Sequence, residues 1–412
     1  MRVVILQDDF PPNSFGGAGV VALNAAQELQ KRGHDVLVIT TVRKGNGGET
    51  SYQGVRVRTI VSHYPLRFQA YVSLWNTPVV RKVERILQEF KPDVVHAHNV
   101  HGYLSWWSLV VAKKLGARVI LTCHDVISFN YTKLVDFIDP KDLSVPREFN
   151  YRVSAWRQLL SSRFRYNPFR NIVIRYILRK YVDTILPVSS ALSDALKDNG
   201  IKATAVVHNG IDADSWKESS ESVSGFKQKH GLGDSVILFG GRLTAVKGGE
   251  KLLEALSIVR KEVPDIQLLV VGKKDAYAER LLAKAADSGL KGKVIFTDWI
   301  TGSELHQAYY ASALVAVPSL CFDSFPTMNL EAFACAKPVV ATCFGGSREI
   351  IDDGISGYIV NPYDVETMAQ KITKILSDAA MRSRFGEAGH ARAVRDFTLT
   401  KQAELFEHHY KN

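Results

Sequence analysis

Short runs of β-branched and aliphatic residues alternate with longer amphipathic stretches along this chain, in two separate series. The first series reads as strands at 3–7, 36–40, 55–61, 93–97, 118–123, 184–188 and 203–207, with helices at 19–32, near 79–90, near 103–115 and from Ser189. Strands that alternate with helices imply βαβ units, and hence a parallel sheet covered on both faces. A polar, pattern-poor segment at 214–234 follows His208-Asn209-Gly210-Ile211-Asp212 and reads as a linker. The second series then supplies strands at 235–240, 266–271, 294–297, 314–317 and 338–342. Its helices are expected at 249–262, from Ala276, from Ser303 and from Pro326, with a mostly helical tail from Val365. The expected class is α/β: two Rossmann-like, doubly wound domains facing each other across a cleft. Ligands of such folds sit at the carboxyl ends of the strands, beside helix N-termini.

Length and composition agree. At roughly 100–200 residues per domain, 412 residues suit two domains, and 46% hydrophobic with 23% charged residues excludes a disordered or fibrous chain. No apolar run approaches the ~18 residues of a membrane-spanning helix. The first residues reach Gln7-Asp8-Asp9 too soon to hold the apolar core of a signal peptide. The four cysteines, Cys123, Cys321, Cys335 and Cys343, show no CxxC spacing. Neither a disulfide framework nor a zinc site is suggested, and a reducing cytosol is the expected compartment.

The net charge is +10, and its location decides its meaning. Residues 151–182 carry Arg152, Arg157, Arg163, Arg165, Arg170, Arg175, Arg179 and Lys180, with no acidic residue. Trp156, Phe164, Tyr166, Phe169, Tyr176 and Tyr181 are interleaved with them. Such a stretch suits an anionic membrane surface or a phosphate-bearing ligand as well as RNA. It equally suits a solvated face whose side-chain stems cover apolar surface. No RNA-binding signature accompanies it, so nucleic acid is not an expected partner.

Three clusters could carry chemistry. Gly17-Ala18-Gly19-Val20-Val21-Ala22 spells a dinucleotide fingerprint, but residues 8–15 separate it from the preceding strand. The second strand also ends at Thr40-Thr41, without the acid that a ribose would need. A nicotinamide dehydrogenase is therefore disfavoured. A glycine-lined loop before a helix still fits a phosphate or sugar contact, or simply a flexible turn. In the second series, Gly240-Gly241-Arg242 leads to Lys247-Gly248-Gly249 at a strand exit. Two cations five residues apart among glycine amides suit a diphosphate, and they also suit a strand-end turn with solvated cations. The third cluster holds Asp323 and Glu331, eight residues apart around a helix opened by Pro326. The pair could hold ribose and sugar hydroxyls while the helix N-terminus holds phosphate. Helix capping by Asp323 explains the same residue blandly. His96, His98 and His101 have a spacing compatible with metal, and equally with packing.

Taken together and in this order, these clusters resemble the retaining nucleotide-sugar glycosyltransferases of the GT-B fold, specifically glycosyltransferase family 4. The resemblance covers nearly the whole chain. It includes Gly16-Gly17, Lys31-Arg32-Gly33-His34-Asp35-Val36, Lys91-Pro92-Asp93-Val94-Val95-His96-Ala97-His98, Val188-Ser189-Ser190 and His208-Asn209-Gly210-Ile211-Asp212. Gly345-Gly346-Ser347-Arg348-Glu349 and Asp353-Gly354-Ile355-Ser356-Gly357 continue it.

The resemblance implies an N-terminal acceptor-side domain over 1–212, with an insertion at about 126–182. A nucleotide-sugar domain over 213–395 and a C-terminal helix over 396–412, packed back on the first domain, complete the expected layout. It implies that Arg242 and Lys247 contact the donor diphosphate, that Glu331 holds the ribose, and that the amides of Thr327 and Met328 face sugar or phosphate. Gly16 and Gly17 belong to the same donor site. His124 and Asp323 stand at the catalytic positions facing the transferred sugar. Three departures from the family pattern are visible. Asp323 replaces the usual glutamate, Pro326 has no amide to offer, and Gly272-Lys273-Lys274-Asp275 replaces Gly-x-Gly-Pro.

The implied activity moves a hexose-type sugar from a nucleoside-diphosphate sugar to a glycan or lipid-linked acceptor. Retention by front-side attack is expected, with no metal and no cofactor. The acceptor is expected at the basic insertion, and the location is cytoplasmic, peripheral at the inner face of a membrane. The alternatives are a GT-B-fold nucleotide-sugar epimerase, a donor-binding protein without turnover, and a basic membrane- or nucleic-acid-binding protein without transferase activity.

Overall fold

The computed structural model describes residues 1–14, 16–146 and 148–412. Two compact units emerge. One comprises Met1–Phe137, Asn150–Gly210 and Leu399–Asn412, and the other comprises Ile138–Phe149 and Ile211–Thr398.

The first unit is built on seven strands: β1 (Arg2–Leu6), β2 (Asp35–Val42), β3 (Gly48–Tyr52), β4 (Val55–Val61), β5 (Val94–Ala97), β6 (Arg118–Cys123) and β7 (Thr184–Pro187). Their spatial order is β3-β4-β2-β1-β5-β6-β7, parallel throughout except for the antiparallel β3–β4 pair. Val3, Val4, Ile5 and Leu6 of β1 are all fully buried, as expected for a central strand with both faces covered. Helices Gly17–Lys31 and Leu399–Lys411 pack on this unit. The last helix is tied down by Arg32 and His34, which both engage Glu407, and by Tyr410, whose hydroxyl lies 2.7 Å from His96 Nδ1.

The second unit holds β8 (Val236–Gly240), β9 (Gln267–Val271), β10 (Val294–Asp298), β11 (Leu314–Val317), β12 (Val339–Thr342) and β13 (Gly357–Val360). All run parallel, in the order β10-β9-β8-β11-β12-β13. The order reverses between β8 and β11, and it is there that a crevice opens at the carboxyl edge of a doubly wound sheet. In the first unit the reversal falls between β1 and β5.

Two doubly wound sheets are what the alternation of strands and helices implies, but several details differ from the sequence reading. Residues 203–207 form no strand. They run along β7, where Thr204 N and Val207 N donate to Ile185 O and Pro187 O. The Thr204 hydroxyl takes the Ile185 amide, which interrupts a regular ladder. The supposed linker contains helix Ser220–His230, capped by the Ser219 hydroxyl and anchored by buried Phe226. The expected insertion is divided, because 138–149 belongs to the second unit. There Asn361 Nδ2 donates to the carbonyls of Asp142 and Ser144, and the Phe149 ring lies 5.9 Å from that of Phe344. The unit boundaries fall after Gly210 and Thr398 rather than after 212 and 395.

Candidate functional site

In the second unit, the exits of β8 and β11 converge on one another through their loops. Leu320 N donates to Val246 O at 2.8 Å. Gly248 has a φ of +80° and sits so close to the chain after β11 that a Cβ would lie 1.9 Å from Pro318 O. Only glycine satisfies both demands. That approach places Lys247 beside the third cluster. Its Nζ lies 2.7 Å from Asp323 Oδ2, which also accepts from the Ser319 hydroxyl at 2.7 Å. Burial alone would lower the Lys247 pKa, but the Asp323 carboxylate outweighs it and the pKa is raised. The ammonium is therefore charged and already oriented. Arg242, five residues earlier, is exposed.

Asp323 is fixed from its backbone as well. Its N–H donates to Phe344 O, and its carbonyl accepts from Gly346 N, both at 2.9 Å. Gly345, with φ +121°, allows this contact, since a Cβ would lie 2.2 Å from Asp323 O. Three residues beyond Asp323, Pro326 caps helix Thr327–Ala334 with no side-chain hydrogen bond. Thr327 and Met328 thus begin the helix, and amides there have no intrahelical acceptor. They leave positive partial charge at a helix start four residues beyond the carboxylate that holds Lys247.

Glu331 lies one turn into this helix, and its carboxyl is held from a different element. The Tyr309 hydroxyl, on helix Ser303–Ala311, donates to Glu331 Oε2 at 2.5 Å. Burial raises the Glu331 pKa, against the opposing hydrogen bonds from Tyr309 and Thr327. Nothing in the spacing of the sequence reveals Tyr309. Its only signal is a tyrosine on the helix leading into β11.

The remaining residues singled out in the sequence belong to the first unit. Gly16 caps helix Gly17–Lys31, which has no acidic residue in its first turn. His124 follows β6, and its Nε2 lies 2.8 Å from His98 Nδ1, with the two rings stacked. Burial lowers the His124 pKa to about 4, although Asp125 pulls the other way. His96 is engaged by Tyr410 and by the Thr122 hydroxyl, both at 2.7 Å. The three-histidine stretch is thus divided by role. His96 packs, His98 supports His124, and His101 lies 3.7 Å from Asp125. Among the described residues no cluster suited to a metal ion is found.

Comparison with known proteins identifies the family and the fold. The glycosyl transferases group 1 family matches residues 223–392, and glycosyltransferase family 4 matches residues 15–215. A GDP-mannose-dependent α-(1-6)-phosphatidylinositol monomannoside mannosyltransferase of Mycolicibacterium smegmatis is 32% identical over 48% of this chain and 54% of that one. A D-inositol 3-phosphate glycosyltransferase of a Mycobacterium species is 26% identical over 91% of this chain and 81% of its own length. The fold matches that of Anabaena HepE in complex with UDP, with a TM-score of 0.73 at 20% identity, each chain fully covered. Sucrose-phosphate synthase from Thermosynechococcus elongatus matches with a TM-score of 0.77 at 19% identity, over all of this chain and 98% of that one. The chain belongs to the group 1, family 4 glycosyltransferases and has their GT-B fold.

Proposed function

We propose that the protein transfers a hexose-type sugar from a nucleoside-diphosphate sugar to a glycan or lipid-linked acceptor, with retention of anomeric configuration and without a metal. The observation that carries this reading is the pairing of a charged Lys247 with Asp323 beside the open amides of helix Thr327–Ala334. Glycosyl transfer builds negative charge on the departing diphosphate as the sugar becomes oxocarbenium-like. Lys247, Arg242 and the amides of Thr327 and Met328 neutralise that charge, which is the work a divalent cation would otherwise do. Glu331, oriented by Tyr309, accepts hydrogen bonds from the ribose hydroxyls. Asp323 is assigned to the sugar. His124, on the first unit, is kept neutral by burial, the state in which an imidazole can both donate a hydrogen bond to a hydroxyl and accept one from it.

Retention is supported by the state of Asp323. Its Oδ2 is engaged by both Lys247 and Ser319, an arrangement suited to positioning rather than to covalent attack on the sugar. Front-side attack assisted by the leaving phosphate fits such a site. Gly16 and Gly17 are assigned to the donor as well. One relative named for GDP-mannose and phosphatidylinositol monomannoside, and a structural neighbour holding UDP and glucose, support the donor class and a lipid-linked or glycan acceptor.

The test is the anomeric outcome. The protein is incubated with UDP-, GDP- and ADP-hexoses, a glycan or glycolipid acceptor and EDTA, and the new linkage is read by proton NMR. A product with the donor's anomeric configuration, formed in the presence of EDTA, supports the reading. An inverted product, or transfer abolished by EDTA, contradicts it.

A further inference from the structure

Residues 62–83 and 151–182 contain no aspartate or glutamate, and the first unit brings the two segments together. The Tyr71 hydroxyl donates to the carbonyls of Phe164 and Tyr166, at 3.3 and 3.5 Å. Apolar side chains stand outward around this junction. Phe164 is 95% exposed, Phe169 68%, Trp156 67% and Leu160 63%. Trp156 and Leu160 lie four residues apart on helix Ala155–Ser162, so they share one face. On helix Arg170–Tyr181, Ile174, Ile177 and Leu178 fill the core, which leaves Ile172 and Tyr176 outside with Arg175 and Arg179. From the other segment, exposed Phe68 lies under the Arg67 guanidinium.

The charge is arranged to match. Of the eight cations in 151–182 only Arg170 is withdrawn: it is buried, and its guanidinium donates to Asn171 Oδ1 and Ile127 O. The other seven are exposed. A solvated face whose cationic stems cover apolar surface would leave the rings hidden, whereas Trp156, Phe164, Phe169 and Tyr176 stand exposed and only Tyr166 is buried. Monomeric soluble surfaces rarely gather so many large apolar side chains in one place.

We propose that this face docks on an anionic lipid bilayer, with the exposed rings and aliphatic side chains in the headgroup and upper acyl region and the surrounding arginines against lipid phosphates. Two adjoining segments without a carboxylate offer nothing to repel such a surface. Leu160 and Ile172 favour lipid over RNA, since aliphatic groups offer nothing for a base to stack on but enter the acyl boundary favourably. Among the described residues no helix is long and apolar enough to cross a membrane, so the contact is interfacial. It would hold a lipid-linked acceptor and the enzyme at the same surface. Binding does not require the proposed sugar transfer, and the two readings fail separately.

The test is sedimentation of the full chain with vesicles of mixed phosphatidylglycerol and phosphatidylcholine, with no donor present. Binding is expected at low salt, weakened by added salt, and absent with pure phosphatidylcholine. Replacing Arg157, Arg163 and Arg165 together with Gln should weaken it roughly a hundredfold. Phe164→Ser combined with Phe169→Ser should weaken it by on the order of tenfold or more. All these side chains are exposed, so unchanged thermal unfolding should show that the variants are folded. Failure to sediment with anionic vesicles at low salt would overturn the proposal. So would equal binding to neutral vesicles, variants that bind like the parent, or selective capture of a homopolymeric RNA instead of vesicles.

Discussion

Lys247 Nζ lies 2.7 Å from Asp323 Oδ2, so the cation assigned to the donor diphosphate already has a counter-ion before any donor arrives. Both side chains are mostly buried. Removing the carboxylate leaves an uncompensated ammonium at a cost of about 1–3 kcal/mol. A bound diphosphate would restore its partner. Asp323→Asn should therefore lower the melting temperature, and a nucleoside diphosphate should stabilise the variant more than the parent. Transfer should fall by on the order of 10²-fold, because the contact to the sugar is lost as well. Equal nucleotide-induced shifts in parent and variant would count against the exchange.

Tyr309→Phe removes a hydrogen bond that holds down the Glu331 pKa against burial. The Glu331 pKa should then rise further. If the ribose hydroxyls need an ionised Glu331, donor affinity falls as pH drops through that pKa, by at most about tenfold per pH unit. In the variant this fall should begin at higher pH. Calorimetric titration of parent and variant across pH reads the difference, and the titration of the nucleotide itself cancels. Superimposable profiles would mean that Tyr309 only packs.

Much of this site was legible in the sequence, and the reasons are local. Lys247 stands out because glycines flank it at a strand exit, and Asp323 and Glu331 because they lie eight residues apart around a helix start. A separation of 76 residues nonetheless hides that Lys247 and Asp323 meet. The residues that support them do not stand out. Tyr309 reaches Glu331 across 22 residues, and His98 reaches His124 across 26. Tertiary pairing, not spacing, makes those contacts. The missed elements have similar explanations. β3, with sequence Gly48-Glu49-Thr50-Ser51-Tyr52, has no apolar alternation and pairs only with β4 at the sheet edge. Its turn is legible only afterwards: Gln53 and Gly54 both have positive φ, the signature of a two-residue hairpin loop. β13 is four residues long. It depends on Gly357, where a Cβ would lie 2.2 Å from Val339 O.

Gly248→Ala should destabilise the second unit by more than the left-handed backbone alone requires. Strain at positive φ costs about 1–2 kcal/mol for alanine, and the approach to Pro318 O adds a clash that backbone must relieve. Gly292→Ala is the control, because Gly292 also has positive φ but a Cβ there meets nothing within 4 Å. Urea unfolding should place Gly248→Ala well below Gly292→Ala. Equal losses would mean that the two loops are not rigidly coupled.

Burial lowers the pKa of His96 to about 3 and of His124 to about 4, and that of His98 also falls well below the ordinary value. Each folded-state pKa lies below the unfolded one, so the unfolded chain binds more protons in acid. Stability should therefore be intact above pH ~6.5 and fall as pH drops toward 4, by up to about 1.4 kcal/mol per pH unit for each histidine. Urea midpoints from pH 7 to pH 5 should show this decline, and His96→Gln should make it shallower. A flat profile would contradict the buried neutral histidines.

The donor site is tested by thermal stability measured across UDP, GDP, ADP, dTDP and CDP, with and without EDTA. A nucleotide at about 100 times its dissociation constant stabilises its target by roughly 2.7 kcal/mol. A clear shift is expected with one base, unaffected by EDTA and lost in Glu331→Ala. No shift with any nucleotide, or a shift that survives Glu331→Ala, would contradict a donor site built on Lys247, Asp323 and Glu331.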